Sequence, residues 1–362
     1  MPKKIIISVT NDLVTDMRVH KIALTLLKLD YNVLLVGRKL KNSKNINRPY
    51  LHKRFKLIFK KGAFFYAEYN FRLFLFLLFK KTDVLLANDL DSLLANFLAS
   101  KIKNKKLVYD SHEYFTEVPE LVNRKKTQKI WLSIEKFILP KIKHSYTVCQ
   151  SIADIYNQKY GIDMKVVRNI PICSENNLLK KENYSNTKII IYQGAVNVGR
   201  GIELVVKAMQ YLDNHVFWII GGGDVFDDIK NLISELKLEN KVKMFGKLPF
   251  DELKKYTQQA DIGISLEQNM GLNYYYALPN KLFDYIHSEI PILASPFPEM
   301  KRIIDKYDIG EYILNRNPKD LAKQIAEILQ NESKLNLWKQ NLKTAHNELC
   351  WQKEESVLKQ IY

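Results

Sequence analysis

The chain has 362 residues, which is enough for two domains of ordinary size with a hydrophobic core in each. Its hydrophobic content of 46% and charged content of 26% are typical of a globular protein and exclude an intrinsically disordered one. The net charge of +17 is confined to the first half, because residues 1–168 contain 32 Lys and Arg against 14 Asp and Glu, whereas the remainder is nearly neutral. This asymmetry predicts an anionic partner for the first half alone.

The cysteines and the apolar runs indicate the compartment. Three cysteines, an odd number that fits no metal-ligand spacing, favour a reducing compartment and predict no metal site. The apolar run at residues 5–9 ends too early for a secretory signal, and the run at 71–79 is too short to span a bilayer. We therefore expect a cytoplasmic protein, or one that is peripheral at the inner face of the cell membrane.

The first half alternates strands with helices. A strand at 5–9, a helix that Asp16 can cap, and a strand at 32–36 form a β-loop-α-β unit without a Gly-x-Gly phosphate fingerprint, so this half is a poor nucleotide site. Further strands at 83–87, 107–109, 145–149 and 165–167 complete a Rossmann-like domain predicted over residues 1–172.

A basic segment at residues 39–61 precedes an aromatic, apolar helix at 63–79 that has a pair of lysines at each end. Two interpretations stay open. The helix is either buried in the core, which is the favoured interpretation, or it lies on anionic lipid with its lysines at headgroup level.

Polar residues follow two of these strands. Asp89 begins an Asp-x-Asp pattern that also occurs in metal sites, but it equally suits the cap of the next helix, so no metal is predicted. His112 and Glu113 follow the strand at 107–109. A histidine among carboxylates at the carboxyl end of a strand is a candidate contact to a reacting group, and a purely structural histidine is the alternative.

The second half restarts after a polar segment, 173–187, that is predicted to be a linker. A strand at 188–193 leads into a glycine-bearing turn, 194–201, in which backbone N–H groups can approach a phosphate and Arg200 supplies a full positive charge. The strand at 216–220 ends in Gly-Gly-Gly-Asp, which by itself also fits a bare tight turn. A second Rossmann-like domain is predicted over 188–340, followed by a C-terminal helix at 341–362.

Residues 261–299 carry the most informative pattern. A strand at 262–266 is followed by the carboxylate of Glu267 and an aromatic loop, and a helix then begins after Pro279 and carries Lys281 and Asp284. Open parallel sheets bind ligands outside the carboxyl ends of their strands, so a binding site is predicted here, with an ordinary surface loop as the alternative.

This stretch resembles the donor-binding segment of retaining nucleotide-sugar glycosyltransferases of family four, which have two Rossmann-like domains facing across a cleft (the GT-B architecture). The resemblance implies that Glu267 holds sugar hydroxyls and that Asp284 holds the ribose. The chain departs from the family in having Asp at the second position and extra residues around 273–276, and Ala195 replaces a second cation. The implied donor contacts are Gly194, Gly199, Gly222, Gly223, Asn273, Leu282 and Asp284.

The resemblance also implies that the first domain binds the acceptor. The segment Asn-Asp-Leu-Val-Thr-Asp-Met-Arg-Val is similar to the family's acceptor-side loop, His112 would contact the sugar or phosphate from across the cleft, and the last helix would cross back to the first domain. The implied acceptor-side residues are Asp12, Asp16, Arg18, Asp89 and Glu113.

The predicted function is the retaining transfer of a hexose-type sugar from a nucleotide-sugar donor to a lipid-linked or polysaccharide-precursor acceptor at the cytoplasmic membrane face. The predicted catalytic residues are His112, Arg200, Lys281 and Glu267. No cofactor or metal is expected, and an anionic membrane surface is the expected partner. A sugar-nucleotide epimerase of the same architecture is the alternative. A nucleic-acid partner is excluded because no recognition helix, zinc finger or aromatic sheet motif is present.

Overall fold

The computed structural model describes residues 2–14, 16–173 and 187–362, so all but the two end residues of the predicted linker at 173–187 lie outside the described part. The chain divides into two compact units. The first comprises Met1–Asn169 and Glu354–Tyr362, and the second comprises Ile170–Lys353.

The first unit is built on a parallel sheet. Its strands are β1 (Lys3–Asp12), β2 (Tyr31–Arg38), β3 (Leu51–Phe55), β4 (Val84–Asn88), β5 (Lys106–Ser111), β6 (His144–Thr147) and β7 (Lys165–Val166). They lie side by side in the order β3-β2-β1-β4-β5-β6-β7. The helices between them are α1 (Met17–Lys28), α2 (Gly62–Phe79), α3 (Leu90–Lys103), α4 (Pro119–Val122), α5 (Lys125–Ile138) and α6 (Gln150–Tyr160). Every residue of β4 is buried, as expected of a central strand covered by helices on both faces.

The second unit repeats this plan. Its strands are β8 (Lys188–Gln193), β9 (His215–Ile220), β10 (Val242–Gly246), β11 (Ile262–Ser265), β12 (Ile292–Ala294) and β13 (Gly310–Tyr312), in the order β10-β9-β8-β11-β12-β13. Its helices are α7 (Ile202–Ala208), α8 (Phe226–Glu235), α9 (Phe250–Gln259), α10 (Leu272–Tyr275), α11 (Asn280–His287), α12 (Pro298–Tyr307), α13 (Pro318–Gln330) and α14 (Glu332–Glu348).

Both sheets reverse the direction of strand addition beside their first strand, between β1 and β4 and between β8 and β11. Loops that leave the two strands at such a switch point diverge and open a crevice for ligands. The predicted fold class, two Rossmann-like α/β domains, is confirmed.

The last helix, α15 (Trp351–Ile361), ends in the first unit. Within that unit, Glu354 receives a charge-assisted hydrogen bond of 2.6 Å from Nη2 of Arg168, and Glu355 receives one of 2.8 Å from Nζ of Lys28. The predicted return of the C-terminal helix to the first domain is thereby confirmed. A single C-terminal helix was predicted at 341–362, but in the structure this range is divided between the end of α14 and α15.

Helix α2 is buried along one side, as the favoured interpretation predicts, and exposed along the other. One stripe of it, Phe65, Tyr69, Leu73 and Leu77, is buried against the sheet. The opposite side exposes Phe64, Phe71 and Phe79 by 70%, 64% and 87%, with the ion pair of Glu68 and Arg72 beside them. None of the described helices is both long enough and apolar enough to cross a bilayer.

Candidate functional site

In the second unit, two glycine-rich turns pack backbone against backbone at the carboxyl ends of β8 and β9. A Cβ on Gly221 would lie 1.8 Å from the carbonyl oxygen of Gly194, and one on Gly223 would lie 2.1 Å from Oδ1 of Asn197. Side chains are therefore excluded from this contact. The predicted phosphate turn, 194–201, is held against Gly222 by a hydrogen bond of 3.2 Å from the N–H of Val196 to the Gly222 carbonyl oxygen.

The same turn lies against the loop that follows β11. Gly201 has a φ of +78°, and a Cβ there would lie 2.3 Å from the carbonyl oxygen of Leu266. The N–H of Gln268 donates a hydrogen bond of 2.7 Å to the carbonyl oxygen of Gly199. These contacts bring Arg200, at the end of one loop, next to Glu267, at the start of the other.

The side chains of Lys281, Arg200 and Ser265 surround the carboxylate of Glu267. Its side chain is only 1% exposed, and its Oε1 lies 2.7 Å from Nζ of Lys281 and 3.8 Å from Nη1 of Arg200. The hydroxyl of Ser265 donates to Oε2 at 2.8 Å. Burial by itself would raise the pKa of Glu267. The charge and hydrogen bond of Lys281, the hydrogen bond from Ser265 and the charge of Arg200 together outweigh burial, so the pKa lies below its ordinary value. Glu267 is therefore a buried, ionised carboxylate.

Cations and aromatic rings surround this carboxylate. The guanidinium of Arg200 lies 4.6 Å from the ring centroid of Tyr274, and Nζ of Lys281 lies 4.1 Å from that of Tyr192. Nε of Arg200 is buried and has no hydrogen-bond partner among the described residues. A buried guanidinium N–H without a partner is a donor available to an anionic ligand.

Arg316, which the sequence analysis missed, adds a third cation beside Glu267. It follows β13, and its guanidinium donates to the carbonyl oxygen of Leu266 at 3.2 Å and to that of Glu267 at 2.5 Å. The rule that ligand residues follow the carboxyl ends of parallel strands would have identified it, since β13 is the third strand from the switch point along one side of the sheet.

Asp284 lies one turn after Lys281 on helix α11, and its carboxylate is half-buried. Nε2 of Gln193 donates to its Oδ2 at 2.7 Å, and the hydroxyl of Thr257 donates to Oε1 of Gln193 at 2.6 Å. Gln193, the last residue of β8, therefore orients the carboxylate that is predicted to hold the ribose.

The remaining predicted donor contacts differ in what they offer a ligand. The Leu282 side chain lies in the hydrophobic core, so only its backbone is available. Asn273 is buried in the short helix α10. A Cβ on Gly194 would lie 3.7 Å from Cε of Lys281, and one on Gly222 would lie 3.1 Å from Cε of Lys247, so lysine side chains lie beside both glycines.

In the first unit, a charged network lies at the carboxyl ends of β4 and β5. Arg18 and Asp110 form a buried bidentate pair, with Nη2 to Oδ1 at 2.7 Å and Nε to Oδ2 at 3.0 Å. His112 lies between two carboxylates, with Nδ1 at 3.3 Å from Oδ2 of Asp89 and Nε2 at 3.1 Å from Oδ2 of Asp110. Arg18, Asp89 and His112, all singled out in the sequence, thus belong to one cluster.

The charge state of His112 follows from this cluster. Burial lowers its pKa, but the carboxylates of Asp89 and Asp110 outweigh burial and raise the pKa to about 10. His112 is accordingly an imidazolium at neutral pH. Asp89 has a φ of +58°, which is uncommon for a residue other than glycine, and such strained backbone is often found at functional sites.

The other predicted acceptor-side residues have separate partners. Asp12 accepts a hydrogen bond from the Ser43 hydroxyl at 2.5 Å and lies 3.6 Å from Nη1 of Arg54. Asp16 caps α1 by accepting from the N–H of Val19 at 3.0 Å. Glu113, the residue that follows His112 in the sequence, is half-buried. The sequence analysis did not identify Asp110, which lies inside a strand, as part of the cluster.

The Asp-x-Asp pattern does not bring two free carboxylates together. Asp89 contacts His112, whereas the Oδ2 atom of Asp91 accepts from the Thr10 hydroxyl at 2.5 Å. Burial, with a smaller contribution from Asp89, raises the pKa of Asp91 to about 8. Each carboxylate is therefore engaged by protein donors.

Two family models match the chain. The model described as Glycosyltransferase Family 4 matches residues 16–171, and the model described as Glycosyl transferases group 1 matches residues 174–345. A curated relative, an uncharacterized glycosyltransferase of Methanocaldococcus jannaschii, is 22% identical over 201 residues, which is 50% of this chain. The chain spans about half of that relative's length, 55%.

Solved structures share the fold. Sucrose-phosphate synthase from Thermosynechococcus elongatus superposes with a TM-score of 0.81 at 16% identity, covering 99% of this chain and 98% of the other. The Anabaena protein HepE, in complex with UDP-glucose, superposes with a TM-score of 0.75 at 12% identity over 99% of this chain and 98% of its own.

Proposed function

This chain belongs to glycosyltransferase family four, of the GT-B architecture, and we propose that it transfers a sugar from a nucleotide-sugar donor, held in its second unit, with retention of the anomeric configuration. The observation that carries this proposal is the convergence of Arg200 and Lys281 on Glu267, beside a glycine turn from which side chains are excluded. The relative in complex with UDP-glucose supports a donor of this class.

The chemistry of the transfer explains why cations are needed. As the bond between the anomeric carbon and the diphosphate breaks, the sugar gains oxocarbenium character and the leaving diphosphate gains negative charge. Fixed positive groups that are already in place stabilise that charge without reorganisation. Arg200, whose Nε has no hydrogen-bond partner in the described part of the chain, and Lys281 supply such groups, and neither requires a metal ion.

Glu267 and Asp284 divide the donor between them in this proposal. Glu267 accepts hydrogen bonds from sugar hydroxyls, because it is ionised, buried and oriented by Lys281 and Ser265. Asp284, oriented by Gln193, accepts hydrogen bonds from the ribose hydroxyls. Both are acceptors for neutral donors, which suits the hydroxyl-rich parts of a nucleotide sugar.

In the first unit, His112 provides a positive charge beside Asp89 and Asp110. We assign it an electrostatic contact to an oxygen of the transferring sugar or of its phosphate, since an imidazolium attracts developing negative charge while its two ring nitrogens stay beside Asp89 and Asp110. Arg18 has a positioning role, because its bidentate pair with Asp110 fixes one of the two carboxylates that hold His112.

The acceptor, in this proposal, is a lipid-linked sugar or phosphate at an anionic membrane surface. Helix α2 exposes three phenylalanine rings, and exposed Lys60, Lys61, Lys80 and Lys81 lie at its ends. An exposed apolar stripe flanked by lysines suits the boundary between lipid headgroups and acyl chains. The excess of 18 positive charges over residues 1–168 adds electrostatic attraction.

A thermal-shift screen against a panel of nucleotide sugars tests the donor class. A ligand that binds only the native state raises the melting temperature in proportion to its affinity and concentration. We expect a rise with sugar nucleotides of one base and a smaller rise with the matching nucleoside monophosphate, which lacks the second phosphate. A panel that leaves the melting temperature of the folded protein unchanged would contradict the proposal.

A further inference from the structure

A second cluster of chemically reactive side chains lies in the second unit, at the opposite end of helix α11 from Lys281. One ligand atom each of Cys173, His287 and His346 lies within 4.8 Å of the other two. Both histidines are buried, and their ring centroids are only 4.3 Å apart. Two buried imidazoles at this distance, next to a thiol, form a group of nitrogen and sulfur ligand atoms that one cation can bind.

A fourth candidate ligand lies beside this group. Cys350 is buried and close enough to influence the thiol of Cys173. In this structure the thiol of Cys173 donates to the carbonyl oxygen of His346 at 3.6 Å, and the thiol of Cys350 donates to that of Asn347 at 3.7 Å. The four side chains come from three separate parts of the chain: Cys173 precedes β8, His287 ends α11, and His346 and Cys350 lie at and just after the end of α14. Two thiols and two imidazoles are a donor set typical of structural zinc sites, in which zinc is tetrahedral.

The surroundings orient these side chains. Nε2 of His287 lies 2.7 Å from the carbonyl oxygen of Leu349, so this nitrogen carries the proton and Nδ1 is left with its lone pair. A metal-bound histidine commonly donates its other ring N–H to a backbone carbonyl in this way. Gln352 fixes Cys173 through its backbone, since Oε1 accepts from the Cys173 N–H at 3.0 Å and Nε2 donates to the Cys173 carbonyl at 3.0 Å.

We propose that Cys173, His287, His346 and Cys350 bind one zinc ion, which ties the start of the second unit and the end of α14 to the C-terminal end of α11. Binding replaces the two thiol protons, so two protons are released for each zinc bound and the thiolates balance the charge of the ion. No oxidation or reduction is involved.

A zinc ion here would affect the donor site by fixing the position of helix α11. Lys281 and His287 are six residues apart on α11, about 9 Å along the helix axis. An ion at the C-terminal end of α11 would hold the helix whose first turn carries Lys281, although it would take no part in sugar transfer. The zinc site can therefore be confirmed or refuted without reference to the proposed function.

Zinc content of the full chain, purified without a histidine tag, tests the proposal. We expect one zinc per chain after removal of loosely bound metal, and a higher melting temperature with zinc than after chelation. Replacing zinc with cobalt should give thiolate-to-cobalt charge-transfer absorption. Cys173→Ser and His346→Gln should each weaken zinc binding at least about tenfold. His215→Gln, which changes a histidine of the same unit outside the cluster, should bind zinc like the wild type.

The wild-type measurements keep the test decisive even where a variant fails to fold. A folded wild-type protein that takes up no zinc from solution overturns the proposal, as does equal zinc binding by Cys173→Ser. Mass spectrometry of the freshly purified protein supplies a third outcome. A disulfide between Cys173 and Cys350 in place of bound zinc would overturn the metal site and indicate a redox-sensitive pair.

Discussion

Nζ of Lys281 lies 2.7 Å from Oε1 of Glu267, and both side chains are more than nine-tenths buried. The proposed function assigns these residues to different parts of the donor, the cation to the diphosphate and the carboxylate to the sugar. Their pairing means that Lys281 helps to keep Glu267 ionised before any donor is present. Removing one partner would leave a buried, uncompensated charge, so variants of this pair need to preserve side-chain volume and polarity.

Arg200→Ala should weaken nucleotide binding and slow transfer. Loss of a charge that acts on the leaving diphosphate costs about 2–4 kcal/mol in the transition state, a factor of about thirty to a thousand. Steady-state kinetics with the donor identified by the thermal-shift screen measures the loss. Lys207→Ala, which removes an exposed cation from the following helix α7, is the matched control. Wild-type turnover by folded Arg200→Ala would refute the assignment.

Glu267→Gln and Asp284→Asn should affect the donor differently. Glu267→Gln should lower transfer at least about a hundredfold while leaving the affinity for the free nucleotide nearly unchanged, because Glu267 is proposed to contact only the sugar. Asp284→Asn should lower the affinity for the free nucleotide by about ten- to a hundredfold, the loss expected for one charged hydrogen bond. Calorimetry with the nucleoside diphosphate separates the two, and equal effects on its binding would disprove this division.

The charge of His112 should make the stability of the protein depend on pH. Because the pKa of His112 is raised from 6.5 to about 10 in the folded protein, its protonation stabilises the fold fully below pH 6.5, and this contribution is lost as pH rises to about 10. The difference in free energy of unfolding between wild type and His112→Gln should therefore shrink over that window. His52→Gln, at an exposed position of the first unit, should show no such trend. A difference that stays constant from pH 6 to pH 10 would contradict the assigned charge state.

The exposed stripe of α2 should bind membranes. Wild-type protein should co-sediment with vesicles of anionic lipid, more strongly as the anionic fraction rises and less strongly at high salt. Phe71→Ser combined with Phe79→Ser should reduce binding at least about tenfold, since each buried ring contributes about 1.5–3 kcal/mol. Leu314→Ser, which removes a side chain 81% exposed in the second unit, is the control. If the double phenylalanine variant bound anionic vesicles as strongly as the Leu314→Ser control, helix α2 would not be the membrane contact.

Most of the fold could be predicted from the sequence because parallel strands that are buried on both faces appear as short apolar runs, as β4 and β11 do. Strand β3 was not predicted because it is an edge strand. Its residues, Leu51–Phe55, are largely exposed and basic, so they form no apolar run. The break between α14 and α15 was missed for a similar reason, since no glycine or proline marks Leu349 and Cys350.

The donor site was predictable where one segment carries its parts and unpredictable where distant segments meet. Glu267, Lys281 and Asp284 lie within 18 residues, so their common strand-loop-helix pattern was sufficient. Arg316 contacts the carbonyl oxygens of Leu266 and Glu267, and Asp110 pairs with Arg18, only because segments far apart in the sequence meet at the carboxyl ends of the strands. The cluster around Cys173 has no spacing signal at all, because His287 lies more than a hundred residues further along the chain.

The fate of a nucleotide sugar tests the central claim most directly. The protein is incubated with the donor found by the thermal-shift screen, with and without a lipid extract as the acceptor source, and the products are followed by nuclear magnetic resonance. We predict release of one nucleoside diphosphate for each sugar transferred, dependence on the extract, and a product with the anomeric configuration of the donor. Conversion of the donor into an epimer without acceptor and without nucleoside diphosphate release would contradict this account and establish an epimerase instead.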